Sequence, residues 1–119
     1  MGYYTEHTLT VKRLDNKKQF EELEQELKEK EILRYAVCEG EYSEDLHEAY
    51  FSCYDSVKWY DHEKDMAEIA EKFPNVYFEL EGNGEEFGDF WREYYHGLIS
   101  ETCRGEIIFE KPTKVHWPA

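Results

Sequence analysis

The stretch Ala49 to Tyr60 puts the firmest limit on how this chain can fold. Ala49, Phe51, Cys53, Val57 and Trp59 fall on one parity; Tyr50, Ser52, Tyr54, Ser56, Lys58 and Tyr60 fall on the other. A period of two over so many residues belongs to a strand with one apolar face, not to a helix. Asp55 would point inward in an unbroken strand, so a bulge or bend is expected near it.

Other segments switch period. His7, Leu9 and Val11 alternate with Thr8, Thr10 and Lys12, which predicts a first strand over His7–Leu14. Phe20, Leu23 and Leu27 then form a helical stripe to about Lys30, with Asp15 or Asn16 as N-cap and Gln19 in capping-box position relative to Asn16. Ile32–Cys38 is rich in strand formers and reads as a second strand, apolar on both faces. Glu39–Glu48 reads as an acidic loop. Met66, Ile69, Ala70 and Phe73 mark a second helix, opened by Asp61 and ended by Pro74. Val76, Phe78 and Leu80 alternate with Tyr77, Glu79 and Glu81, and Gly82-Asn83-Gly84 reads as the turn after that strand. Phe87–Tyr95, Leu98–Cys103 and Glu106–Glu110, broken at His96-Gly97 and Arg104-Gly105, predict an antiparallel meander.

The pattern is therefore β-α-β-β-α-β with added short strands. It predicts an α+β fold: a ferredoxin-like βαββαβ antiparallel sheet, two helices on one face and a C-terminal β-meander. The length of 119 residues suits one domain, 1–119, with a loose tail from 112 to 119. Tyr50, Tyr54, Tyr60, Tyr77, Glu79 and Glu81 are expected on the face that the helices leave open.

Charge narrows the function classes. Acidic residues number 28 against 14 basic ones, a formal charge of −14. A net charge of about 2–8 suffices for solubility in a small domain. The surplus is either the ordinary charge of an acidic protein or a means of steering toward a cationic partner. Direct binding of nucleic acid or of an anionic membrane is not expected, since both need clustered Lys and Arg. Three widely spaced cysteines, Cys38, Cys53 and Cys103, give no paired framework or zinc spacing, and buried reduced thiols are expected. Met1-Gly2-Tyr3-Tyr4 opens no signal peptide and no apolar run approaches membrane length, which together predict a cytoplasmic protein.

Catalytic and metal motifs are weak. Glu44, Asp45, His47 and Glu48 cluster in one segment, and His62, Glu63 and Asp65 in one helical turn, without a metal-binding spacing. No nucleophile elbow or phosphate-binding glycine loop occurs. The expectation is a non-enzymatic protein without cofactor or metal. The constellation that stands out is acidic and aromatic: Glu41, Glu44, Asp45, Tyr50, Tyr54, Tyr77, Glu79, Glu81, Glu85, Glu86 and Asp89. Glu79 and Glu81 lie about 6.5 Å apart along a strand, and tyrosine is enriched at binding hot spots. These residues predict a partner-binding surface; the plainer alternative is tyrosines paving the sheet through cross-strand pairs.

Trp59-Tyr60-Asp61-His62, then Phe73-Pro74-Asn75-Val76, Gly82-Asn83-Gly84-Glu85-Glu86 and Asp89-Phe90-Trp91-Arg92 resemble a module in small proteins of phages, mobile elements and their bacterial hosts. The module covers about the second half of the chain and carries over no catalytic residues. The resemblance implies a role in host–phage conflict. Such a protein would inhibit a basic host protein, a nucleic-acid-guided nuclease (the anti-CRISPR type) or a restriction enzyme, as a monomer or homodimer. The alternatives are a small metal-dependent enzyme using His47, His62 or His96, and a housekeeping domain that dimerises through its open sheet face.

Overall fold

A computed structural model describes residues 4–35, 39–52, 57–84, 88–105, 112–116 and 118. The elements run β1 (Thr5–Lys12), α1 (Lys17–Glu29), α2 (Ile32–Tyr35, a single turn), β2 (Glu39–Ser43), β3 (Glu48–Ser52), α3 (His62–Lys72), β4 (Tyr77–Gly84), β5 (Phe90–His96) and β6 (Ile99–Arg104). The strands form one six-stranded sheet in the order β2-β3-β1-β4-β5-β6. Every pairing is antiparallel, and the sheet is open rather than closed into a barrel. The molecule is thus α+β, with the longer helices on one face of an antiparallel sheet.

Local chemistry sets the helices. Asn16 caps α1: its Oδ1 accepts from the Gln19 amide at 2.9 Å, and Gln19 Oε1 accepts in return from the Asp15 amide at 2.6 Å. Phe20, Leu23 and Leu27 bury the inward stripe. Phe20 lies over Phe51 and Tyr42, at ring separations of 5.8 and 5.2 Å, which seats α1 above β2 and β3. On α3, Met66, Ile69 and Ala70 are buried. Both helices share one core with Leu9 and Val11 of β1, Ala49 and Phe51 of β3, and Phe78 and Leu80 of β4. His7 is buried beside Leu9 and Val11, as the alternation of β1 requires. Surface ion pairs Lys30–Glu68 and Lys72–Glu26 tie the helices together.

Several expectations need correction. The second strand is not Ile32–Cys38: Ile32–Tyr35 adds a helical turn, and Ile32 joins the core. The strand comes later, at Glu39–Ser43, inside the segment read as a loop. Pairing with β3 overrides the weak strand propensity there. Gly40 lies opposite Phe51, whose ring occupies the space where a Cβ on Gly40 would sit, 2.3 Å away. The same reason moves the turn at Gly82-Asn83-Gly84 into β4. Gly82 lies under the Trp91 ring, 2.2 Å from its Cβ position, and all three residues pair with β1. Asp61 precedes α3 but its side chain makes no cap hydrogen bond. Cys103 is exposed, since it lies on edge strand β6, where every residue faces solvent. Tyr60 falls in the turn before α3 and not on the sheet. Cys38, Cys53, Tyr54, Asp55, Glu85, Glu86 and the strand predicted at Glu106–Glu110 lie outside the described residues.

The His96-Gly97 turn matches the reading. Gly97 has φ +60° and sits first in a two-residue loop between His96 and Ile99, the place where a mirror-type hairpin turn needs glycine. Among the described residues, no helix is long and apolar enough to cross a membrane.

Candidate functional site

The strand register aligns side chains in rows across the sheet. On the face away from the helices one row reads Glu41 (β2), Tyr50 (β3), Thr10 (β1), Glu79 (β4), Tyr94 (β5) and Glu101 (β6). Six strands at about 4.8 Å spacing make this row about 24 Å long. The next row carries Glu48, Lys12, Tyr77, His96 and Ile99. Between the two runs a groove of about 700 Å³, lined by Thr10, Tyr77, Glu79, Tyr94, His96 and Ile99 among others. Leu46 and Ile99, which line it, are more than half exposed. The Tyr77 and His96 rings stack at 3.8 Å, and the Arg13 guanidinium lies 5.2 Å from the Tyr77 centroid.

The structure therefore gathers Glu41, Tyr50, Tyr77, Glu79 and Glu81 of the expected surface on one face. Glu44 and Asp45 stand apart, in the turn that closes the β2–β3 hairpin. Asp89 precedes β5 and pairs with Arg104 at 3.5 Å. The expected surface left out Tyr94, His96, Ile99 and Glu101, which the register places on the same face. The parity of Arg92, Tyr94 and His96 against Trp91, Glu93 and Tyr95 was the signal that could have found the first two. The face is also less uniformly negative than a count of glutamates implies. Arg92 reaches Glu81 at 3.6 Å and Lys12 reaches Glu48 at 3.9 Å. The Tyr94 hydroxyl first, then the Glu81 and Glu79 carboxylates, hold the Arg92 guanidinium above its ordinary pKa, the mark of a locally negative surface.

A second constellation lies under the helices, on the opposite face. Glu93 points inward and is 2% exposed. Its Oε1 accepts from the Tyr95 hydroxyl at 2.7 Å and from His62 Nδ1 at 2.9 Å. His62 opens α3 and stacks on Trp91 at 4.7 Å. Trp59 stands edge-on to His62 and to His7 and donates its indole N–H to Asp65 at 2.8 Å. His7 completes the group; burial chiefly, then repulsion from His62, lowers its pKa to about 4 against a smaller upward pull from Glu93. Burial first, then the bond to Glu93, raises the Tyr95 phenol above its usual range. Both groups are neutral near pH 7. Ligand atoms of His62, Glu63 and Glu93 lie within 4.8 Å of one another.

The other histidines singled out from sequence are committed elsewhere. His47 Nδ1 donates to the Leu14 carbonyl at 2.9 Å, and the Leu14 amide donates to the His47 carbonyl at 2.9 Å, which pins the hairpin turn to the end of β1. His96 is stacked in the open groove. No protein-family model, curated protein or solved structure matches this chain.

Proposed function

We propose that this chain is a non-enzymatic binding protein whose open sheet face takes a cationic, Lys- or Arg-rich surface of a protein partner. One observation carries the reading: the row Glu41–Tyr50–Thr10–Glu79–Tyr94–Glu101, in which carboxylates and tyrosines cross the whole sheet. Tyrosines supply rigid contact area and ring faces for cations. Glutamates supply steering and register. The acidic turn at Glu44 and Asp45 extends the negative surface beyond the sheet.

The first four strands lie in the order β2-β3-β1-β4, which supports a ferredoxin-like arrangement extended at the β4 edge by a hairpin. The charge of −14 supports a basic target such as a nucleic-acid-binding protein of the cytoplasm. The resemblance to phage and mobile-element modules points within that class to a guided nuclease or restriction enzyme, held off its nucleic acid by an acidic cover. Affinity capture from a host lysate at low and high salt tests this. A basic partner should be retained at low salt and lost at high salt, and Glu79→Lys with Glu101→Lys should slow association at least tenfold. Capture that is indifferent to both salt and these reversals would reject the face.

A further inference from the structure

We propose that His62, Glu63 and Glu93 bind one divalent ion of the zinc class between the first turn of α3 and the middle of β5. Ligands about 2.0–2.2 Å from such an ion lie roughly 3–3.5 Å from one another. His62 Nδ1 and Glu93 Oε1 are already 2.9 Å apart. The ion takes the place of the proton between them, and that proton leaves to Nε2 of the ring or to solvent. Glu63, the next residue on α3, brings a third ligand atom within 4.8 Å of both.

Burial supplies an independent reason. The Glu93 side chain is 3% exposed, and among the described residues the one basic group within 4 Å of it is His62. A buried carboxylate requires compensation, and an ion of charge +2 meets the charges of both glutamates. Tyr95 donates to Glu93 at 2.7 Å, the outer-shell bond that fixes a ligating carboxylate. His7 adds a buried polar group on the same side. It is 2% exposed, its Nδ1 has no hydrogen-bond partner among the described residues, and its ring centre is 6.4 Å from that of His62. The positive end of the α3 dipole opposes a cation, and the two carboxylates outweigh it. One imidazole with two carboxylates suits Zn²⁺ or Mn²⁺, whereas Ca²⁺ prefers six to eight oxygens. Exposed Glu63 leaves the remaining positions open to water.

Zn²⁺ titration of the full chain, stripped with a chelator, tests the site by calorimetry and by metal content after desalting. One Zn²⁺ per chain is expected, with a higher melting temperature. His62→Ala should abolish binding, and Tyr95→Phe and Glu63→Gln should each weaken it by about 10–100-fold. Glu63 is exposed, so Glu63→Gln keeps the test valid even if His62→Ala fails to fold. Absence of stoichiometric Zn²⁺, or binding left unchanged by Glu63→Gln and Tyr95→Phe, would overturn the proposal.

Discussion

At the scale of single residues, close packing and buried polar groups set the sensitive positions. Gly82→Ala places a methyl group 2.2 Å from the Trp91 ring, so the indole must move. The expected cost is about 1–3 kcal/mol in denaturant unfolding, as for other overpacked sites. His7 makes a pH prediction with a definite sign. Its folded pKa, about 4, lies below its ordinary value of 6.5. Between these values the unfolded chain binds the proton and the folded chain does not, so stability falls as pH drops from about 6.5 toward 4. The full loss is on the order of 3 kcal/mol, from about 1.4 kcal/mol per pKa unit. Urea unfolding of chelator-treated protein at pH 7.5 and 4.5 measures it, and His7→Phe should remove most of the difference that this group contributes. An undiminished pH slope in that variant would assign the acid sensitivity to other groups.

At the scale of elements, the two long helices begin differently. Asn16 accepts a real cap bond, and Asn16→Ala should destabilise by about 1 kcal/mol. Asp61 occupies the matching place in α3 without a side-chain cap bond, so Asp61→Ala should cost less than about 0.5 kcal/mol. Chemical unfolding of the two variants side by side decides this, and equal losses would contradict the assignment. Both helices were legible in sequence because a 3.6-residue stripe is a local signal: Phe20, Leu23 and Leu27 on α1, and Met66, Ile69 and Ala70 on α3. The second strand was not. Glu39-Gly40-Glu41-Tyr42-Ser43 has poor strand propensity and is recruited by hydrogen bonding to β3, a partner supplied from outside the segment.

At the scale of the whole molecule, net charge and local pairing pull in opposite directions. A formal charge of −14 stores self-repulsion, while the exposed Lys72–Glu26 and Arg92–Glu81 pairs are worth little in water. Added salt should therefore raise the melting temperature. A stabilisation on the order of 1 kcal/mol corresponds to about 4 °C. The same salt should weaken association with a cationic partner. A melting temperature that falls with salt would show that the pairs outweigh the repulsion.

The chain's own pattern of periods determined that it is α+β, that His7, Leu9 and Val11 turn inward, and that Tyr50, Tyr77, Glu79 and Glu81 turn outward. Parity along one strand is enough to decide each of these. Tertiary structure alone decided which strands are neighbours, and through that the row from Glu41 to Glu101 and the meeting of His62 with Glu93 across 31 positions of sequence. Pairing between distant segments depends on how the helices close over the sheet to bury Phe51, Phe78 and Leu80, and no local stretch of chain encodes that closure.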